Sequence, residues 1–242
     1  AAFERDILGN VDAYRDTLGG LTIADENQIN SLQGQIDDIQ TSAGRFSSEL
    51  GFDFNDELGE LGGLERELAN LRSQREQELA RIQRSQEQFL NTARALEQSA
   101  EGADIYSAAG LDAIGDRLRD VRQDITGFSS ALPFDFSASD ASLGEAEAAL
   151  AALRERRAQE IAGLEGRINP IVSGIGDIPL NDEAALRARI SELRGVEGDL
   201  ARFSGGRVDE VQGQIGSGIE AVNARLTELQ DYRSQLEERA QA

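Results

Sequence analysis

Residues 53–57 form the segment whose types and spacing come closest to a metal-binding loop, since they read Asp-Phe-Asn-Asp-Glu. A calcium loop places oxygen ligands at alternate positions, a glycine at position six and a glutamate at position twelve. Position six is Leu58 here and position twelve is Leu64, so both requirements fail. We interpret the acids as the start of a helix, where negative charge meets the positive end of the helix dipole.

The composition excludes most other side-chain chemistry. The 242 residues include no His, Cys, Met or Trp, and all 24 basic residues are arginine. Ser-His and Cys-His catalysis, the usual zinc, copper, haem and iron-sulfur sites, and lysine Schiff bases are therefore excluded. Carboxylate pairs at glycosidase spacing are available, but that chemistry also requires a concave apolar pocket. We predict a protein that is not an enzyme, with no catalytic residue, no metal site and no cofactor.

The charge restricts the partners. With 45 acidic residues the chain has a net charge of −21, which opposes binding to nucleic acid and to anionic membrane surfaces. The one local basic cluster, residues 154–157, is expected to pair with acids at helical spacing such as Glu160. No apolar run approaches the ~20 residues of a membrane span, so membrane insertion is not expected. The expected partners are other proteins or further copies of the chain.

An internal repeat runs through the sequence. Residues 46–54 return as residues 128–136, each segment containing three phenylalanines and a Phe-Asp-Phe ending, at an offset of 82. The same offset relates Ile23 to Ile105 and Leu79 to Ile161. A third copy follows at an offset of 75, which is one heptad shorter and keeps the apolar stripe in phase. That copy aligns Leu111, Leu118, Val121, Ile125 and Phe128 with Leu186, Leu193, Val196, Leu200 and Phe203.

Each copy of the repeat predicts a short helix followed by a long one. The short helices show apolar residues at alternating spacings of three and four, as in Ile29, Leu32, Ile36 and Ile39. The expected N-caps of the short helices are Asp25, Ser107 and Asp182. We expect long helices over about 56–99, capped by Asn55 or Asp56; after Ser137 or Ser139, kinked or ended by Pro170; and over about 206–240.

Helix lengths then predict the architecture. A short helix of ~22 residues spans ~33 Å and a long one of ~44 residues spans ~66 Å. Each half of a long helix can therefore pair with a different short helix. The prediction is an all-α, elongated tandem array, ~100 Å long, of about three three-helix bundle units, 1–78, 79–160 and 161–242, which share their long helices. Residues 3–20 are interpreted as the first helix of the first unit, with a fragment of a longer array as the alternative.

The helix order resembles that of spectrin-type repeats. The resemblance covers the whole chain but extends to topology alone, because those repeats are longer and usually carry a core tryptophan, which this chain lacks. It implies a similar architecture, a tandem array of three-helix bundles, and not membership of that family.

Four phenylalanines are the candidate site residues. Phe52, Phe54, Phe134 and Phe136 alternate around an aspartate in the turns before the long helices. They are interpreted as plugs that close the end of a bundle and fix its turn. The alternative is that they are anchors for a protein partner, since exposed aromatic residues are common hot spots. Gly213, Gly216 and Gly218 within the last predicted helix indicate either a close helix contact or a partner.

The function expected from these features is mechanical. We predict a structural spacer or assembly subunit, and the chemically inert composition favours a surface appendage or a virion over the cytoplasm. The alternative is a helical adaptor that docks partners at its Phe-rich turns. Oligomers are compatible with either, because heptad seams alone do not set the number of chains.

Overall fold

The computed structural model describes the backbone of residues 2–51 and 53–241, and the side chains of residues 9–49, 51 and 53–240. Within this part of the chain every regular element is an α-helix, and an isolated parallel bridge joins Ser107 to Ser204. The helices are α1 Ala2–Gly19, α2 Glu26–Leu50, α3 Asn55–Glu101, α4 Ala108–Gly127, α5 Ser137–Ser173, α6 Glu183–Leu200 and α7 Val208–Gln241.

The alternation of short and long helices is confirmed. The longest helix, α3, contains 47 residues and follows the predicted 56–99 closely. Pro170 lies inside α5, which ends three residues later at Ser173, as expected for a proline that removes a helical donor.

The helix caps are only partly as predicted. The Ser107 hydroxyl accepts from the Gly110 N–H, and the Asp182 carboxylate accepts from the Ala185 N–H. Asp25 also precedes its helix, but its carboxylate accepts from the backbone and hydroxyl of Thr22 instead. Those two bonds lower the pKa of Asp25. The Asp25 side chain therefore stabilises the loop before α2 and does not cap the helix, because Thr22 offers two donors to its carboxylate.

The two longest helices begin slightly earlier than predicted. Asn55 is already the first residue of α3, and its N–H donates to the Asp53 carboxylate, so neither Asn55 nor Asp56 is the N-cap. Ser137 is likewise the first residue of α5, and Ser139 lies buried inside that helix. A phenylalanine, Phe54 or Phe136, precedes each helix, and the aspartate before Phe54 supplies the polar acceptor.

The chain divides into two compact units. Unit 1 comprises the residues up to Phe89 together with Gly127–Phe136, and unit 2 comprises Leu90–Thr126 and the residues from Ser137 onward. Helix α3 thus contributes to both units. The three sequence units 1–78, 79–160 and 161–242 remain a prediction.

The core of unit 1 draws on three helices. Its buried side chains recur every three or four residues, which brings them onto one stripe of each helix. They are Val11 and Leu18 of α1; Ile29, Leu32, Ile36 and Ala43 of α2; and Leu61, Leu64 and Leu68 of α3, with Phe54 from the preceding turn. Each fully buried Leu or Ile stabilises the fold by about 1.5–3 kcal/mol.

Unit 2 has a comparable core. One described cluster joins α5, α6 and α7, and a second described cluster includes Leu186 of α6 and Val222 of α7. The first contains Ile161, Leu164, Ile168, Leu193, Val196, Leu200, Phe203, Val208, Val211 and Ile215.

Gly218 of α7 marks a close approach between these helices. A Cβ at this position would lie 2.9 Å from Val172 Cγ2 and 3.0 Å from Leu193 Cδ1. A Cβ at Gly213 or Gly216 would meet nothing within 4 Å. Of the three glycines, Gly218 therefore has a packing role, because its missing side chain makes room for Val172 and Leu193.

Substituting these glycines tests that role. Gly216→Ala should raise the melting temperature, because alanine favours a helix over glycine by about 1 kcal/mol. Gly218→Ala should lower it, because overpacking costs about 1–3 kcal/mol and exceeds the same helix gain. Thermal unfolding followed by circular dichroism measures both. Equal stabilisation by the two substitutions would contradict the close packing at Gly218.

Candidate functional site

An arginine at the same repeat position in α3 and α5 binds a loop carbonyl. Arg75 Nη1 donates to the Ile23 carbonyl over 2.7 Å, and Arg157 Nη1 donates to the Ile105 carbonyl over 2.8 Å. Both members of the second pair follow the first by 82 residues. We call this pairing of a long-helix arginine with the loop before a short helix the arginine clasp.

Arg157 extends its clasp to a second loop of unit 2. It also donates to the carbonyls of Tyr106 at 2.9 Å, Ser204 at 2.9 Å and Gly205 at 3.0 Å. One guanidinium, only 8% exposed, therefore binds four carbonyls from the loops before α4 and α7. The planar fork of arginine can satisfy several fixed acceptors in this way, whereas the single ammonium of lysine cannot.

The two loops also bind each other. Ser204 N–H donates to the Tyr106 carbonyl over 2.9 Å, and Ala108 N–H donates to the Ser204 carbonyl over 3.3 Å. The chain can turn away after Ser204 because Gly205 and Gly206 take φ angles of 75° and 63°, where glycine has no steric penalty. The loops and Arg157 together form what we call the unit 2 junction.

Aromatic rings cover this junction. The rings of Tyr106 and Phe203 meet edge to face with centroids 4.8 Å apart. The Arg157 guanidinium lies 5.5 Å from the Phe203 centroid, and Arg202 lies 4.6 Å from that of Tyr106. Such cation–π contacts contribute about 0.5–2 kcal/mol, more when the charge is shielded from water.

In unit 1 the Phe-rich turn over residues 128–136 is held by side chains of α3. Arg81 donates to the Ser129 carbonyl over 2.6 Å, and Gln86 donates to the Asp135 carbonyl over 2.8 Å. Glu78 accepts from the Ser130 hydroxyl over 2.6 Å and forms an ion pair with Arg81. Hydrogen bonds from Arg81 and Ser130 hold the pKa of Glu78 at about 2.

The four candidate phenylalanines have different environments. Phe54 and Phe136 are buried, with 3% and 6% of their surface exposed, whereas Phe134 is 40% exposed. Phe52 lies outside the described residues. Phe136 belongs to a ring cluster in which Phe89, Phe128 and Phe134 each lie within 5.2 Å of its centroid. Whether any of the four binds a partner stays a prediction.

The exposed ring of Phe134 lines a groove in unit 1. The groove measures about 560 Å³, and we call it the Phe134 groove. Its lining residues are Leu79, Ile82, Gln83 and Gln86 of α3 with Pro133, Phe134 and Asp135 of the turn. Leu79 is 45% exposed.

The sequence analysis does not identify Arg157 as a distinct residue. Residues 154–157 look like a solvated basic cluster, and Arg156 does pair with Glu160 at 3.2 Å as expected. Two signals mark Arg157 as different. It lies 82 residues after Arg75, and it falls between Leu150 and Ile161 on the buried stripe of α5.

The acidic segment 53–57 forms a helix start, as interpreted, with Asp56 and Glu57 in the first turn of α3. Among the described residues, no group of three or more acidic side chains is arranged to hold a metal ion. The same part of the chain includes no helix long and apolar enough to cross a membrane. No family model, no curated protein and no solved structure matches the chain.

Replacing Arg157 should destabilise unit 2 strongly. Arg157→Met keeps the aliphatic stem but removes one hydrogen bond from each of four loop carbonyls, two of which retain a backbone donor, at a cost of about 3 kcal/mol. That loss corresponds to a fall in melting temperature of about 6–12 °C for a chain of this size. Arg156→Met is the matched control, because it removes only an exposed ion pair that contributes about 0–1 kcal/mol. Equal shifts in the two variants would contradict the clasp, and Arg157→Lys should not restore stability.

Glu78 should contribute to stability in a pH-dependent manner. Its pKa is about 2 in the folded chain, below the ordinary carboxyl value of 4.5, so the folded state favours the charged form. Glu78→Gln should therefore lower stability at pH 7. The difference from the parent should be constant above about pH 5 and shrink as the pH falls toward 2. Urea unfolding at a series of pH values measures this, with Glu76→Gln as control, and a pH-independent difference would refute it.

Proposed function

We propose that the chain is a non-enzymatic structural protein, an elongated helical-repeat spacer or assembly subunit. Its mechanism is geometric: apolar seams hold helices side by side, and the arginine clasps fix the loops between them. The acidic surface keeps the assembly soluble. The inert composition favours a surface appendage or a virion as its location.

The proposed architecture is an array of three-helix bundle units that share long helices. Two core clusters support it, because each draws its buried side chains from three helices. Sharing is supported by α3, which supplies Leu61, Leu64 and Leu68 to unit 1 while its later residues belong to unit 2. In such an array each unit contacts only its neighbours, which gives a quasi-linear protein.

The observation that carries the proposal is the recurrence of the arginine clasp. Arg75 with Ile23 and Arg157 with Ile105 place the same hydrogen bond at the same position of successive repeats. An arginine that recurs at a fixed spacing and donates to a backbone carbonyl, partly exposed at Arg75 and buried at Arg157, is typical of a group that holds a loop against a helix. An active site would instead use such a group once, facing a ligand.

A helical adaptor is the second candidate function. The observation that favours it is the exposure of Phe134, whose ring lines a groove instead of plugging the core. Exposed aromatic side chains beside an apolar groove are common anchors for protein partners. Phe54 and Phe136 are buried and would serve this candidate only by shaping the turns.

Small-angle scattering on a dilute, mass-verified sample tests the structural proposal. A particle of 26.2 kDa with a maximum dimension of about 100 Å and a radius of gyration of about 30 Å is the expected result. A globular chain of 242 residues would have a radius of gyration of about 18 Å. The smaller value would contradict the elongated array.

A further inference from the structure

Four large apolar side chains are notably exposed in the part of the chain that the structure describes. They are Leu79 at 45%, Phe134 at 40%, Tyr232 at 53% and Leu236 at 46%. Leu79 and Phe134 line the Phe134 groove of unit 1, which is shallow and open. Tyr232 and Leu236 are four residues apart on α7 of unit 2 and so lie on one side of that helix. The four residues thus form two separate apolar surfaces.

The repeat indicates what kind of side chain the groove accepts. The residue 82 positions after Leu79 is Ile161, which is only 4% exposed. Ile161 belongs to a core cluster with Val208, Val211 and Ile215 of α7. In unit 2 the residue at this repeat position, Ile161, is thus covered by apolar residues of a helix, α7.

The apolar residues of α7 continue along the helix beyond the core that the first of them help to form. Val208, Val211, Ile215, Val222 and Leu229 are buried at helical spacing, and Tyr232 and Leu236 extend the same series. All residues from 231 to 240 are exposed. We call Tyr232 and Leu236 the α7 stripe, because they continue an established helix-packing surface of this chain.

We infer that the α7 stripe of one copy docks in the Phe134 groove of a second copy, so that chains join head to tail. This inference rests on the proposed structural role and names the surfaces that would carry assembly. Groove and stripe are different patches, so the contact is heterologous and can propagate from copy to copy. A contact built on a few side chains falls at the weak end of protein interfaces. The net charge of −21 opposes it further at low ionic strength.

Sedimentation velocity and light scattering across about 10 µM to about 1 mM suit such a weak association. The parent mass should rise with concentration above 26.2 kDa. The rise should be larger at about 1 M salt than at about 0.1 M, because salt shortens the range of repulsion from about 10 Å to about 3 Å. A mass of 26.2 kDa under all these conditions would overturn the inference, while leaving the scattering test of the elongated array unaffected.

Paired variants identify the surfaces. A groove variant, Leu79→Ser with Phe134→Ser, and a stripe variant, Tyr232→Ser with Leu236→Ser, should each remain monomeric alone. Each keeps one intact surface, so their equimolar mixture should form dimers at twice 26.2 kDa and nothing larger. Gln230→Ala with Ser234→Ala, on the opposite side of α7, should assemble like the parent.

The other outcomes are distinct. Pairing of α7 with α7 would be abolished by the stripe variant and preserved in the groove variant, and it would refute the inference. Failure of the mixture to form dimers would also refute it, provided that both variants keep the helical content of the parent. Phe134→Ser alone replaces the double groove variant if that variant loses helicity, and the same outcomes apply to it.

Discussion

The four hydrogen bonds from Arg157 to loop carbonyls are the interaction on which the loops of unit 2 depend. A charge that is only 8% exposed loses most of its hydration, and this loss is offset only when its donors find acceptors. The carbonyls come from Ile105, Tyr106, Ser204 and Gly205, in two loops far apart in the sequence. Folding must therefore bring both loops to α5 together, and one side chain holds the loops before two helices, α4 and α7.

Adjacent residues show how strongly burial changes the contribution of a charge. Arg156 forms an exposed pair with Glu160, in which water and salt screen most of the attraction. Arg157 is only 8% exposed and donates to four loop carbonyls at 2.8–3.0 Å, so its loss removes one hydrogen bond from each of them. Among the acidic residues, a nearby like charge has the reverse effect.

Burial and the neighbouring Glu145 raise the pKa of Glu97, since a second carboxylate nearby disfavours its charged form.

The sequence predicts those parts of the fold that depend on local pattern. Apolar spacings of three and four located the helices, because one stripe of each helix must reach a core. Ser107 and Asp182 were recognisable caps, but Asp25 was not distinguishable from them, since its choice of Thr22 depends on the geometry of the loop. The candidate site was less accessible. Burial of Phe136 and exposure of Phe134, two residues apart, follow from ring packing against Phe89 of α3 and Phe128 at the start of the same turn.

The two units hold the turn beside the same repeat position in different ways, and this difference leaves Leu79 exposed in unit 1. In unit 2 a turn with Gly205 and Gly206 brings a loop against Arg157, and Ile161 nearby is 4% exposed. In unit 1 the Phe-rich turn is held by Glu78, Arg81 and Gln86, which bind it from the side of α3. Leu79, the repeat counterpart of Ile161, is left 45% exposed. Leu79 and Ile161 occupy the same repeat position, and both are apolar. The exposure of Leu79 therefore reflects what packs against it and not a polar helix face. An apolar groove can thus arise within a repeat without any change in the helices that form it.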